Sequence, residues 1–158
     1  MKPEQEFYHK VVKGLFDQLP DTDHKRIENK LDSGTPDVTY ATVNDHGSNC
    51  QQRQWGWLEL KVSAEDKHGM VDLRHFTGQQ KNWLTDMNVL GGGCYLFLKV
   101  DDYLFLIAPW QAYTITDRVS LKYLMEISCR IWSLREGITP ESFIEGLLCG
   151  EHQIASGA

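Results

Sequence analysis

The run Trp55-Gly56-Trp57-Leu58-Glu59-Leu60-Lys61-Val62 decides how this chain is read. It alternates as a β-strand does, with Leu58, Leu60 and Val62 on one face and Trp57, Glu59 and Lys61 on the other. Two ionisable side chains on one face of an otherwise apolar strand need a reason, because a buried charge is costly unless something pairs with it. One predicted hairpin earlier stands the turn Gly34-Thr35-Pro36-Asp37, and the strand Val38–Val43 follows it. A polar loop, Asn44–Gln54, separates the two strands. Paired as a hairpin, they bring Asp37 and Glu59 together.

Two carboxylates at one place are a binding site for a hard divalent cation. Mg²⁺ is usually held by one or two carboxylates, with waters and substrate phosphate oxygens completing its shell. Such an ion supplies most of what phosphodiester hydrolysis requires. Lys61 leaves the same face as Glu59, beside a water on the cation, where its charge favours hydroxide and offsets charge on the phosphate. A bare Glu-x-Lys is weak evidence, and a second one, Glu28-Asn29-Lys30, is taken as accidental. The plain alternative for Glu59 and Lys61 alone is a surface ion pair on a strand. The Gly-Thr-Pro-Asp turn tips the balance toward the metal site.

Working outward, residues 4–19 predict an amphipathic helix carrying Phe7, Tyr8, Val11, Val12, Leu15, Phe16 and Leu19, with Pro20 ending it. Lys25–Asn29 reads as a short first strand, and residues 63–76 as a loop containing His68 and His75. Thr77 starts a helix in which Thr77 and Gln80 match a capping box, and Gly91-Gly92-Gly93 stops it. Cys94–Val100 and Tyr103–Ala108 flank Asp101-Asp102 as a tight hairpin. Residues 119–135 and 140–149 read as helices, the second with Thr139 at its N-cap and Pro140 in its first turn. The result is one α/β domain over 1–158. Its core covers about 4–108, a helical extension covers 109–150, and a mixed sheet of about five strands is flanked by helices.

Composition sets bounds. The 41% hydrophobic and 24% charged residues are ordinary for a globular protein. The formal charge of −6 argues against a strongly basic nucleic-acid binder. Most of that excess lies beyond residue 99, since residues 1–99 hold 12 Lys+Arg against 14 Asp+Glu. Modest DNA affinity that falls steeply with salt is the expectation. Cys50, Cys94, Cys129 and Cys149 are widely spaced, which speaks for free thiols rather than a zinc site or disulfides. No apolar run is long enough to span a bilayer, no signal-peptide pattern opens the chain, and no phosphate-cradling G-x-x-x-x-G-K is present. An intracellular protein with no membrane partner and no nucleotide cofactor is expected.

The segments Gly34-Thr35-Pro36-Asp37-Val38 and Trp57-Leu58-Glu59-Leu60-Lys61, followed by Gln80-Lys81-Asn82-Trp83-Leu84, resemble the signature of the PD-(D/E)XK nuclease superfamily. The likeness is to small virus-type replication-repair nucleases (VRR-NUC) and phage endonucleases and, more distantly, to archaeal Holliday-junction resolvases. It covers residues 25–100 well, 4–19 loosely and 109–158 not at all. It implies a restriction-endonuclease-like αβββαβ core and Mg²⁺-dependent DNA cleavage, with Mn²⁺ as a substitute. It implies Asp37 and Glu59 as metal ligands, with the Leu60 carbonyl joining them, and Lys61 as the catalytic cation. A phage origin, hence the host-cell cytoplasm, is suggested by the likeness alone.

These families often add a glutamate from the first helix. Glu4 aligns with Tyr8, Val11 and Leu15 on the apolar stripe, whereas Glu6 points almost oppositely. The alternative for Glu4 is stabilisation of the helix N-terminus. Gln80 shares the inward face with Trp83, Leu84 and Met87, so an active-site role competes with its place in the capping box, one amide having few bonds to give. Candidate DNA contacts are Arg26, Lys67, Arg74, His75 and Lys81. The alternatives are a solvated edge strand for Arg26 and an exposed polar loop for Lys67, Arg74 and His75.

Three functional readings follow. The first is a metal-dependent endonuclease acting on ordinary DNA. The second is a structure-specific resolvase of branched DNA, which needs two active sites and hence a homodimer. The third is a catalytically silent nuclease fold that binds DNA or a protein, a reading the negative charge favours and the intact Asp37, Glu59 and Lys61 oppose.

Overall fold

A computed structural model describes residues 1–27, 34–44 and 52–155. Glu28, the Glu28–Lys30 motif, Cys50 and most of the loop expected at 44–54 lie outside the described residues. The chain begins with α1 (Pro3–Phe7), passes through a π-helical turn (Tyr8–Val12) and continues as α2 (Lys13–Asp17). Three strands follow, β1 (Thr22–Arg26), β2 (Val38–Asn44) and β3 (Gln52–Ser63). Next come β4 (Met70–Asp72), α3 (Gly78–Val89), β5 (Tyr95–Val100) and β6 (Tyr103–Ile107). The last elements are α4 (Pro109–Ala112), β7 (Arg118–Ser120), α5 (Leu121–Ile127), β8 (Arg130–Ser133) and α6 (Pro140–Ala155).

One six-stranded sheet organises the molecule, in the order β1-β2-β3-β5-β6-β8. Every pairing in it is antiparallel except the parallel pair β3–β5. A parallel neighbour requires a crossover, and the segment carrying β4 and α3 supplies it. The central strands β3, β5 and β6 are covered on both faces. The first helix and α6 bury Phe7, Phe16, Leu58, Leu60, Phe97, Leu106 and Phe143 against one face. Helix α3, α4 and α5 close the other over Leu84, Leu96, Leu98, Phe105, Ile107 and Leu124. Leu58, Leu60, Leu96 and Leu98 are fully buried, and truncating any such side chain to Ala costs about 2–5 kcal/mol.

The pattern of β3 explains this two-sided burial. Leu58 and Leu60 enter the first core, Val62 packs at its margin, and Trp57 packs beside the second. Glu59 and Lys61 therefore lie between the sheet and α3, not in open water. The hairpin register is fixed by Val38 opposite Leu58 and Ala41 opposite Trp55. A close backbone approach pins the far end of β3. Gly93 N–H donates to the Trp55 carbonyl at 2.8 Å, and a methyl group on Gly56 would overlap the Gly93 carbonyl. Gly91 ends α3 in the left-handed region at φ 94°.

The expectations for the C-terminal third need correction. Residues 119–135 are not one helix: Ser120 caps α5, accepting from the Tyr123 N–H at 3.0 Å, and Ser128 returns the chain to extended conformation. The chain then forms β8 on the edge of the main sheet, which makes six strands rather than about five. Trp132 is the physical reason. Its ring packs on Phe97 and Phe143 while its Nε1–H donates to the Ser142 hydroxyl at 2.7 Å, contacts with distant residues that local helical periodicity does not register. The stretch 109–150, expected to be helical, is thus partly strand. The loop expected at 63–76 contains β4, which pairs with β7 in a separate two-stranded ladder. The first strand runs Thr22–Arg26 rather than Lys25–Asn29, anchored by Thr22 against Thr42 with hydroxyls 2.7 Å apart.

Two glycines test this packing. Gly56→Ala is expected to lower stability by about 1–3 kcal/mol or more, because backbone rather than a flexible side chain stands in the way. Gly14→Ala, with nothing within 4 Å of the added carbon, is expected to raise it by about 0.5–1 kcal/mol. Urea midpoints of the two variants are expected to move in opposite directions.

Candidate active site

The hairpin register builds the site. One residue beyond the Val38–Leu58 pair, Asp37 stands across from Glu59, and side chains directly opposite in an antiparallel pair are close neighbours. Asp37 is fixed from both ends of its residue. Its carbonyl accepts from Ile27 N–H at 2.8 Å, and its Oδ2 accepts from Leu60 N–H at 2.9 Å. The Leu60 peptide is therefore part of the site.

Glu59 is completely buried. Its Oε1 accepts from Lys61 Nζ at 2.5 Å and from Gln80 Nε2 at 2.5 Å, whereas its Oε2 is buried with no hydrogen-bond partner among the described residues. Burial, and then the Asp37 charge, push the Glu59 carboxyl up to about 8, against the pull of Lys61. Burial raises Asp37 as well, although the Leu60 N–H and the Lys61 charge oppose it. Two carboxyls that cannot both ionise comfortably, one with an orphaned oxygen, form a place that a bound cation would stabilise.

Gln80 bonds to both Thr77 and Glu59. Its Oε1 accepts from Thr77 N–H at 2.9 Å while Thr77 Oγ1 accepts from Gln80 N–H at 3.3 Å, completing the capping box. Its Nε2 is left for Glu59. The expected competition does not arise, because the cap uses the oxygen end of the amide and the acid uses the nitrogen end.

Glu4 projects from α1 toward the same place. Its charge acts on both Asp37 and Glu59, and its Oε1 lies 3.9 Å from His75 Nε2. Glu6 is exposed and pairs with Lys10 on the outside of the helix. Burial, and then the Lys61 charge, hold the His75 imidazole below its usual range. Arg26, at the end of β1 opposite Val38, lies over the Tyr8 ring with its guanidinium carbon 6.0 Å from the centroid, and its charge pulls the Asp37 carboxyl down.

Other residues singled out from the sequence lie elsewhere. Lys81 donates to the Ile115 carbonyl at 2.5 Å and lies 5.4 Å from the Phe76 ring centroid, turned toward the segment after α4. Arg74 is paired with Asp72, its Nη2 2.5 Å from Oδ2, and Lys67 is exposed in the turn before β4. Arg118, unremarked in the sequence, joins Arg74, Asp66 and Asp72 around a cleft of about 500 Å³. Only the β4–β7 ladder, with Asp72 opposite Arg118, brings it there, and no local sequence signal carries that pairing.

Among the described residues, no three His, Cys, Asp or Glu side chains converge tightly enough to cage a metal ion by themselves. The donor set is leaner: the carboxylates of Asp37 and Glu59, the latter with one oxygen that has no partner among the described residues. All-oxygen donors of this number suit Mg²⁺ or Mn²⁺, which leave positions for water and phosphate, and do not suit a zinc cage.

Neither a protein-family model nor a curated protein matches the sequence. Among solved structures, the Holliday junction resolvase Hjc of Archaeoglobus fulgidus is similar, with a TM-score of 0.52 and 12% identity, over 85% of this chain and 94% of that one. At that identity the likeness is one of fold. The mixed α/β architecture described above is the restriction-endonuclease-like fold of that nuclease.

Proposed function

We propose that this protein is a metal-dependent endonuclease that hydrolyses DNA phosphodiester bonds. The observation that carries the reading is Asp37 across from a wholly buried Glu59 whose Oε2 has no partner, with Lys61 at hydrogen-bond distance. Asp37 and Glu59 hold Mg²⁺ or Mn²⁺ in this reading, with the Leu60 carbonyl beside them. When bound, such a cation supplies Lewis-acid stabilisation of charge on the phosphate and a source of hydroxide at neutral pH.

The chain's own residues prepare the rest. Gln80 and Lys61 both hold Glu59 Oε1, so the carboxylate cannot rotate and Oε2 stays aimed away from them. Lys61 places a positive charge where the attacked phosphate gathers negative charge, and its burial keeps that charge unscreened. Arg26, whose charge acts on Asp37, and His75, beside Glu4, are the side chains assigned here to the phosphates of the cut strand. Glu4 is the candidate third acid, reaching the cation directly or through water.

The fold likeness to a Holliday junction resolvase supports a second reading, cleavage of four-way junctions by a homodimer. Mn²⁺-supported digestion of linear, nicked and four-way DNA separates the two. In each, Asp37→Asn and Lys61→Ala are expected to reduce cleavage at least about 10²-fold, as removal of a principal stabilising group does, with near-UV circular dichroism unchanged. Full activity in Lys61→Ala removes that residue from the mechanism.

The acid pair also predicts how stability depends on pH and metal. With Glu59 raised from 4.5 to about 8, the folded protein keeps a proton that the unfolded chain releases. The resulting stability is fully present below the unfolded value and is lost as pH rises through the folded one. The melting temperature of the metal-free protein is therefore expected to fall between about pH 5 and pH 8. Glu59→Gln is expected to flatten that decline. Saturating Mn²⁺ is expected to reverse it in the wild type, adding about 2.7 kcal/mol at 100 times Kd, and to do little for Asp37→Asn. An unchanged slope in Glu59→Gln, or no response to Mn²⁺ in the wild type, counts against the site.

A further inference from the structure

The face of β3 that bears Lys61 and Glu59 continues toward its N-terminal end as Trp57 and Trp55. Across the sheet, Trp57 stands opposite Thr39 and Trp55 opposite Ala41, and β1 adds Lys25 and Asp23 to the same rows. Helix α3 and its neighbours cover this face over β5 and β6, whereas over β1, β2 and the start of β3 no helix covers it among the described residues. Trp55 is 45% exposed, Trp57 and Thr39 are partly exposed, and Ala41, Lys25 and Asp23 are exposed. A cleft of about 520 Å³ opens there, with Asp21, Asp23, Ala41, Val43, Gln54 and Trp55 in its walls.

The lining selects the guest. Two carboxylates repel phosphate, so the sugar–phosphate backbone is not what fills the cleft. An indole face and acceptor-only oxygens complement a nucleobase, which offers a flat π surface and, in cytosine, adenine and guanine, exocyclic amino hydrogens. Within a duplex those surfaces are occupied by stacking and pairing. Four residues of strand separate Trp55 from Glu59, about 13 Å, so a base held at Trp55 lies a few nucleotides from the bond at the acids. We propose that Trp55, with Asp23 beyond Ala41 in the same cross-strand row and Trp57 between it and the acids, forms a subsite for unpaired, amino-bearing bases of the strand being cut. The substrate class is then DNA with a single-stranded stretch next to the cleavage point. This inference rests on the nuclease reading and adds to it.

Its test measures binding, apart from cleavage. Anisotropy of labelled oligo(dC), oligo(dA), oligo(dT) and a blunt duplex is followed with Ca²⁺ in place of Mn²⁺. Oligo(dC) and oligo(dA) are expected to bind more tightly than oligo(dT) or the duplex. Trp55→Ala is expected to weaken oligo(dC) binding roughly 5- to 150-fold, the range for loss of one base–aromatic stack. Trp55→Phe is expected to retain most of it. Asp23→Asn, on an exposed strand position, is expected to narrow the preference for oligo(dC) over oligo(dT). Equal affinity of wild type and Trp55→Ala for every oligonucleotide overturns the subsite. So does a Trp55→Ala that converts a sedimenting dimer to a monomer with oligonucleotide affinity intact, an outcome that gives the face to a second copy of the chain. Mn²⁺-supported digestion of a duplex carrying a single-stranded tail, by the wild type and by Lys61→Ala, reads the nuclease assignment separately.

Discussion

Two carboxyl groups facing each other across an antiparallel pair, one of them wholly enclosed, are the constraint around which this molecule is arranged. Like charges opposite one another in a sheet destabilise it, and enclosure removes the water that would soften the repulsion. The protein manages the conflict without abolishing it. A lysine two residues along and an amide from the next helix satisfy one oxygen of Glu59, a main-chain N–H satisfies one oxygen of Asp37, and Glu59 Oε2 is left buried without a partner among the described residues. A fold optimised for stability alone would place leucine at 59. An enclosed acid there is a cost to folding for which the proposed metal site supplies a reason.

The rest of the architecture holds the two acids still. The residues on the other face of β3, Leu58 and Leu60, are fully buried in the first core, so the strand cannot rotate without exposing them. The parallel pair with β5 sets Glu59 beside Leu96 and Lys61 beside Leu98, apolar neighbours that keep the local dielectric low. The Gly56–Gly93 approach fixes the strand at one end, and the turn before Asp37 fixes its partner. Precise placement on rigid strands, rather than on loops, is what a site that must position a cation and a phosphate together requires.

Much of this was legible in the residues. The alternation of Trp55–Val62, the Pro36-Asp37 turn and the Thr77–Gln80 cap each carry their meaning locally, and hydrogen bonds found at Asp37, Glu59 and Gln80 join the parts they announce. What escaped was non-local. Strand β8 exists because Trp132 meets Phe97 and Phe143, and β4 because Val71 finds Val119. Four- and three-residue strands carry too little periodicity to compete with the helical pattern read through 119–135. The π-helical turn was hidden for the same reason: it appears only when Phe7 and Tyr8 must both face the sheet.

The divided amide of Gln80 joins two things usually thought separate, the beginning of a helix and the aim of an acid. If the first turn of α3 frays, the same event that frees the Thr77 and Gln80 peptides also unlatches Glu59. Opening of that turn thereby loosens the acid pair, leaving Lys61 as the remaining donor to Glu59. The slowest-exchanging amides at the start of α3 would thus act as a gauge of how long the acid pair stays assembled.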